Sequence, residues 1–184
     1  MQKLTSQNAV IIFCAAGVIY WCGRLILIKL FRTGRAVKIP DGDGFTLKRK
    51  GLPDKRIRIA WIDAPEFTQP FGLQAREALR ALVSTTKIRV RFVDKDRYSR
   101  HVAQVWSNRK DVGLEMLRQG LAWDYPGHSP GQSLLCRYRY AAAQRQAIRA
   151  RKGLWADKRP QAPWDYRHRP WWKKWLKGSR PKFS

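Results

Sequence analysis

The chain has 184 residues, enough for one domain of ordinary size with a short anchor or tail. A hydrophobic fraction of 44% excludes wholesale disorder, and a formal charge of +25 calls for a polyanionic partner, nucleic acid first and an anionic membrane surface second. Of the three cysteines, Cys14 and Cys22 lie in an apolar N-terminal run, which excludes a disulfide within the body and leaves no Cys/His cluster at zinc spacing.

Residues 9 to 28, "AVIIFCAAGVIYWCGRLILI", are long enough to span a bilayer as one helix. Arg24 sits near the end of the run, where its side chain reaches the headgroups. No small-x-small cleavage site follows, so an uncleaved single-pass anchor is preferred over a secretory signal peptide. Arg24, Lys29, Arg32, Arg35 and Lys38 outnumber the single upstream Lys3, which keeps the body on the insertion side of the membrane.

From Ala36 the pattern changes to short strands. "AVKIP" and "FTLKR" flank a "DGDG" turn and read as a hairpin. "RIRIAWI" alternates, with Ile57, Ile59 and Trp61 on one face. In "GLQAREALRALVS", Ala75, Leu79, Leu82 and Val83 fall at helical spacing. "KIRVRFV" and "HVAQVWS" supply two more strands. "DVGLEMLRQG" is a short helix capped by Asp111 and stopped at Gly120, and a longer helix runs from Ser133 toward Gly153. The order β-β-β-α-β-β-α-α predicts an α+β fold: a five-stranded OB-like Greek-key barrel with about three packed helices, preceded by a single N-terminal transmembrane helix. The expected organisation is an anchor and basic linker over 1–35, a barrel domain over 36–159, and a basic Trp/Pro-rich tail over 160–184. The tail tryptophans Trp164, Trp171, Trp172 and Trp175 are open to three uses: stacking on single-stranded bases, a membrane interface, or packing on the barrel.

Acids are scarce, so their placement is informative. "DGDG" alone is a common turn, and "DAPE" alone is a strand end followed by a solvated acid. Together they place Asp43 and Asp63 on adjacent strands, where two hard oxygen ligands, a backbone carbonyl and water suit calcium. Arg58 shares the strand of Asp63 but falls on its opposite face, so a bend or bulge must re-aim one of them. Arg100 comes from the loop "DRYSR". Two guanidiniums, a cation and a carboxylate are the parts that phosphodiester hydrolysis requires.

In combination, "DGDGFTL", "RIAWIDAPE", "FGLQAREALRAL", "DRYSRHVAQVW", "EMLRQGLAWDY" and "AAAQRQAIRARKGLWAD" stand in the order and spacing of one family. The chain resembles the staphylococcal-nuclease (thermonuclease) family from about Val37 to Asp157, and with its apolar N-terminus it looks most like a membrane-anchored branch. The resemblance implies an OB-like barrel that hydrolyses DNA and RNA with calcium. It implies Asp43 and Asp63 as metal ligands with the Ala64 carbonyl, Arg58, Glu66 and Arg100 as catalytic residues, Arg97 and Tyr98 as holders of a substrate phosphate, and Trp123 and Tyr125 as aromatics that stack on a base. Gly44 and Phe45 come before Thr46 where the family has Thr directly, Ser99 replaces a usual Gly, and Ala64 a common Thr. The expected partners are nucleic acid and, through residues 9–28, a membrane, with no protein partner implied. The alternative expectation is a tethered nucleic-acid-binding barrel without turnover.

Overall fold

The computed structural model describes residues 32–84, 87–125 and 130–168. The run at 9–28 lies outside them, and among the described residues no helix is long and apolar enough to cross a membrane.

Five strands close into a barrel: β1 (Arg32–Val37), β2 (Gly44–Arg49), β3 (Leu52–Ile59), β5 (Ile88–Lys95) and β6 (His101–Ser107). The pairings β1–β2, β2–β3, β1–β5 and β5–β6 are antiparallel. The parallel pairing β3–β6, with Ile57 opposite His101 and Ile59 opposite Ala103, closes the cylinder and leaves its strands without a long free edge. The alternation expected from sequence holds where it was clearest: Ile57, Ile59, Ile88 and Val90 all point into the core. The barrel begins four residues before the expected boundary at Ala36: Arg32–Gly34 pair with Ile88–Val90 of β5, far away in sequence, and Arg35 already pairs with Lys48 of β2.

Three helices pack on this barrel. α1 (Gly72–Val83) buries Ala75, Leu79 and Val83, a stripe at i, i+4 and i+8. α2 (Val112–Arg118) starts where the Asp111 carboxylate accepts the Leu114 amide, the cap expected from sequence. α3 (Leu134–Arg149) is capped by Ser133 and buries Tyr140, whose hydroxyl donates to Asp111 at 2.7 Å. That bond ties the start of α2 to the middle of α3 and satisfies a polar group in the core. α3 stops at Arg149, four residues short of the end expected at Gly153, and a separate 3-10 turn follows at Gly153–Ala156.

Three two-residue strands and one short helix were not visible in the sequence. β4 (Ile62–Asp63) pairs with β8 (Trp123–Asp124), while β7 (Lys110–Asp111) folds back antiparallel on the end of β6. The β4–β8 pairing holds the end of the Arg58 strand against the segment that carries Trp123 and Tyr125. α4 (Pro163–Arg167) begins with proline, which suits a first turn, and packs Ala162 and Pro163 into the protein.

Candidate active site

The site lies at the barrel mouth where β2 begins and β3 ends, with Gly44 opposite Arg58. The turn before β2 is tight. A side chain at Gly42 would lie 2.6 Å from the Ala75 Cβ of α1 and 2.8 Å from the Ala64 Cβ, so only glycine lets the turn dock there. Asp41 accepts the Asp43 amide at 3.2 Å, and this bond orients the second acid of "DGDG" inward.

The re-aiming that strict alternation demanded is present. β3 stops at Ile59, and Trp61 adopts φ 63°, a left-handed conformation unusual for a bulky residue. Its indole is buried and meets Tyr140 edge-on at 6.1 Å. Packing therefore holds a backbone conformation that local preference disfavours. The consequence is that Arg58 and Asp63 face each other. Arg58 donates from Nη1 to Asp43 Oδ2 at 2.7 Å and from Nη2 to Asp63 Oδ1 at 2.9 Å. One planar fork thus bridges two carboxylates, Asp43 from the turn before β2 and Asp63 from the short strand Ile62–Asp63.

Both carboxylates are buried, Asp63 fully. Burial pushes the Asp43 carboxyl up to about 7; Arg58 pulls the other way, while Asp41 and Asp63 add to the rise. Conversely, Asp43 raises the pKa of the Arg58 guanidinium. Asp41, Asp43 and Asp63 thus gather around Arg58, and Asp63 also meets Arg167 Nη2 at 2.6 Å.

Glu66 follows on a loop anchored at both ends. Its amide donates to the Gln69 side chain at 3.2 Å, and its carbonyl accepts the Gln69 amide at 2.8 Å. Gly72 packs directly against the Glu66 carbonyl, where a Cβ would collide with backbone. These contacts pin the loop while leaving the Glu66 side chain about one-third exposed.

Arg100 stands at the other side of the mouth. Asp96 accepts the Tyr98 and Arg100 amides and receives Arg100 Nε at 2.7 Å. Ser99, at φ 60°, occupies the left-handed position where glycine is usual. Arg56 donates to the Tyr98 carbonyl at 2.7 Å, and the Arg97 and Arg100 guanidiniums lie 4.9 and 5.7 Å from the exposed Tyr98 ring. A cavity of about 330 Å³ opens here, lined by Asp41, Gly44, Thr46, Arg56 and Arg100 among others. It is a basic cleft beside an acidic corner.

The structure thus brings Asp43, Arg58, Asp63, Ala64 and Glu66 together, with Arg97, Tyr98 and Arg100 across the mouth. Trp123 and Tyr125 are placed differently from a free stacking platform. Trp123 meets Trp155 and Trp164 edge-on, and Tyr125 stacks on Trp164 at 5.0 Å and 16°. The residues missed from sequence are Asp41, Gln69 and Arg167. Asp41 was in plain view within "DGDG". Arg167 had no signal, since its tail has no apolar period.

The donor set fits a hard cation. Among the described residues no three His, Cys, Asp or Glu side chains gather closely enough to hold a metal. Two carboxylates, Asp43 and Asp63, remain, with the Ala64 peptide adjacent: its amide lies 3.4 Å from Asp43 Oδ2. Oxygen donors without thiolate or imidazole suit calcium or magnesium, completed by main-chain carbonyl and water.

Residues 56–157 match the model of the staphylococcal nuclease homologue family. The chain belongs to that family. An uncharacterized endonuclease of Haemophilus influenzae is 39% identical over 135 residues, covering 73% of this chain and 72% of its own. An uncharacterized endonuclease of Escherichia coli O157:H7 is 34% identical over 139 residues, covering 74% and 85%. A probable staphylococcal-like nuclease of rice is 40% identical over 112 residues, which cover 61% of this chain but only 32% of the plant protein. The staphylococcal-nuclease homology takes in Arg58, Asp63, Glu66 and Arg100 but begins after Asp43.

Proposed function

We propose that the chain is a membrane-anchored, calcium-dependent endonuclease that hydrolyses phosphodiester bonds of DNA, RNA or both. The observation that carries this reading is the Arg58 fork across Asp43 and Asp63, beside Glu66 and the basic cleft lined by Lys38, Arg56 and Arg100. Calcium held by Asp43, Asp63 and the Ala64 carbonyl would supply a Lewis acid for a phosphate oxygen. Glu66 takes the proton of the attacking water, whose oxygen bonds to phosphorus as the bond to the leaving sugar oxygen breaks. Arg58 and Arg100 stabilise charge on the equatorial oxygens, and their planar forks suit phosphate. Arg97 and Tyr98 hold a neighbouring phosphate, and Trp123 and Tyr125 offer rings to a base once their present partners move.

The anchor reading rests on the apolar run at 9–28. A groove containing Arg32, Arg35, Lys48, Arg49, Lys50 and Lys87 supports it. This groove sits at the end of the β2–β3 hairpin remote from Gly44 and Arg58, where the chain enters the barrel from that run. Anionic headgroups suit such a surface, and the catalytic mouth then faces away from the bilayer. One preparation tests both parts. Carbonate-washed membranes should retain the full chain at intact mass, and the retained protein should degrade DNA or RNA with calcium and not with a chelator. A soluble form cleaved near residue 23 overturns the anchor, and equal degradation in chelator overturns the calcium dependence.

A further inference from the structure

Arg167 is the last residue of α4, more than a hundred residues from the acids it touches. Its Nη2 donates to Asp63 Oδ2 at 2.6 Å, and its Nη1 donates to Glu66 Oε1 at 2.9 Å and to Asp63 Oδ1 at 3.3 Å. Arg58 already holds Asp63 Oδ1 from the other side. Both oxygens of Asp63 are therefore spent on guanidiniums, and Glu66 is held by the same one. Calcium takes carboxylate oxygens at about 2.3–2.6 Å. A divalent ion and the Arg167 guanidinium cannot both occupy the open side of Asp63 without strong like-charge repulsion.

The segment that delivers Arg167 is docked at several points. Gln69, which supports the Glu66 loop, donates to the Gln161 carbonyl. The Thr68 and Tyr166 hydroxyls lie 3.1 Å apart. Pro163 and Ala162 are buried, and Trp164 lies flat on Tyr125. Thus one short segment covers an aromatic face beside the mouth and plugs its acids with a cation. Its inner end is packed, while the Arg167 side chain is 39% exposed. That is the end able to leave.

We propose that residues 160–168 form an inhibitory strap, in which Arg167 holds the Asp63 and Glu66 carboxylates and must leave before a divalent cation and a substrate phosphate can use them. The proposal rests on the reading of these acids as a nuclease centre. Release has a ready cause in the substrate. Residues 160–184 carry seven Lys and Arg against one Asp, so a polyanion competes for the strap while the cation competes for the carboxylates.

The test uses the full chain in detergent, as wild type, Arg167→Ala and Arg167→Lys, with circular dichroism to confirm folding. Calcium binding is measured by titration calorimetry, and amide exchange of residues 160–168 by mass spectrometry with and without calcium. A charge-assisted pair of this kind corresponds to about a ten- to hundredfold change in a binding constant. Arg167→Ala should therefore bind calcium tighter by about that factor, with Arg167→Lys between it and wild type. In wild type, calcium should speed exchange in the strap. Activity of Arg167→Ala should rise at limiting calcium and match or exceed wild type at saturation. Unchanged or weaker calcium binding by Arg167→Ala, in a wild-type protein that binds calcium and cleaves, removes the strap and leaves the nuclease standing. Lower turnover of the variant at saturating calcium also removes it, because Arg167 would then be a working residue. Absence of calcium binding and of cleavage in every form overturns the nuclease reading and the strap with it.

Discussion

Arg100→Ala should lower turnover about a hundredfold to a thousandfold while leaving substrate affinity within a few fold. The magnitude is that of removing one fixed charge-assisted donor from a transition state whose charge it stabilises. On the proposed reading affinity survives, because Arg56 and Arg97, which both meet Tyr98 beside Arg100, would still be present to hold ground-state phosphate. The barrel survives too, since Arg100 belongs to an exposed loop that Asp96 also organises through the Tyr98 and Arg100 amides. Single-turnover rates and binding constants on the same oligonucleotide separate the two quantities. A variant that loses affinity and keeps its rate would make Arg100 a tether.

Arg58→Ala should fail in a different way, through stability as well as rate. Arg58 is largely buried, and it is paired with two carboxylates that are nearly or completely out of water. Removing one partner of a buried ion pair costs about 3–5 kcal/mol, because the remaining charges stay desolvated. For a domain of this size the melting temperature should fall by on the order of 10 °C. Arg58→Lys keeps the charge but not the fork, so it should recover part of the stability and little of the rate. Thermal melts beside single-turnover rates test this. An Arg58→Ala protein that melts with wild type would show that the bridge carries no stability.

The contrast between these two arginines shows what sequence can and cannot reveal. Both were named as candidates from residue type and order. Their surroundings were not visible, because burial of Asp43 and Asp63 depends on β3 pairing with β2 and β6 and on β4 pairing with β8. The alternation of "RIRIAWI" located the strand and also exposed a conflict, Arg58 and Asp63 on opposite faces. The resolution, a left-handed Trp61, is set by tertiary packing of the indole and has no local signature. Most periodic elements were legible: α1, α2, the body of α3 and four of the barrel strands, whereas the strand expected at 36–40 lies at Arg32–Val37. Two-residue strands have no period to detect, and β1 starts early because its partners are distant in sequence. The tail was the largest gap. α4 has five residues, and its meaning lies in a contact between Arg167 and acids about a hundred positions away.

The same tail bears on how the aromatic residues are read. Trp123 and Tyr125 were expected as a base platform, yet Trp164 and Trp155 now cover their faces. Of the three uses open to the tail tryptophans, Trp164 takes packing in this structure; Trp171, Trp172 and Trp175 lie outside the described residues. A strap that lifts from Asp63 would also uncover Tyr125, so access to metal and access to base would be coupled through one segment.

The central claim is that the barrel turns substrate over rather than merely holding it, and Glu66→Gln tests it most directly. The substitution keeps the shape of the side chain and removes the base, while the Asp43–Arg58–Asp63 bridge is untouched. Single-turnover cleavage should be measured on folded protein at saturating calcium and saturating nucleic acid. The account predicts a loss of about a hundredfold or more, with substrate affinity kept. Wild-type cleavage by the folded variant would contradict the mechanism.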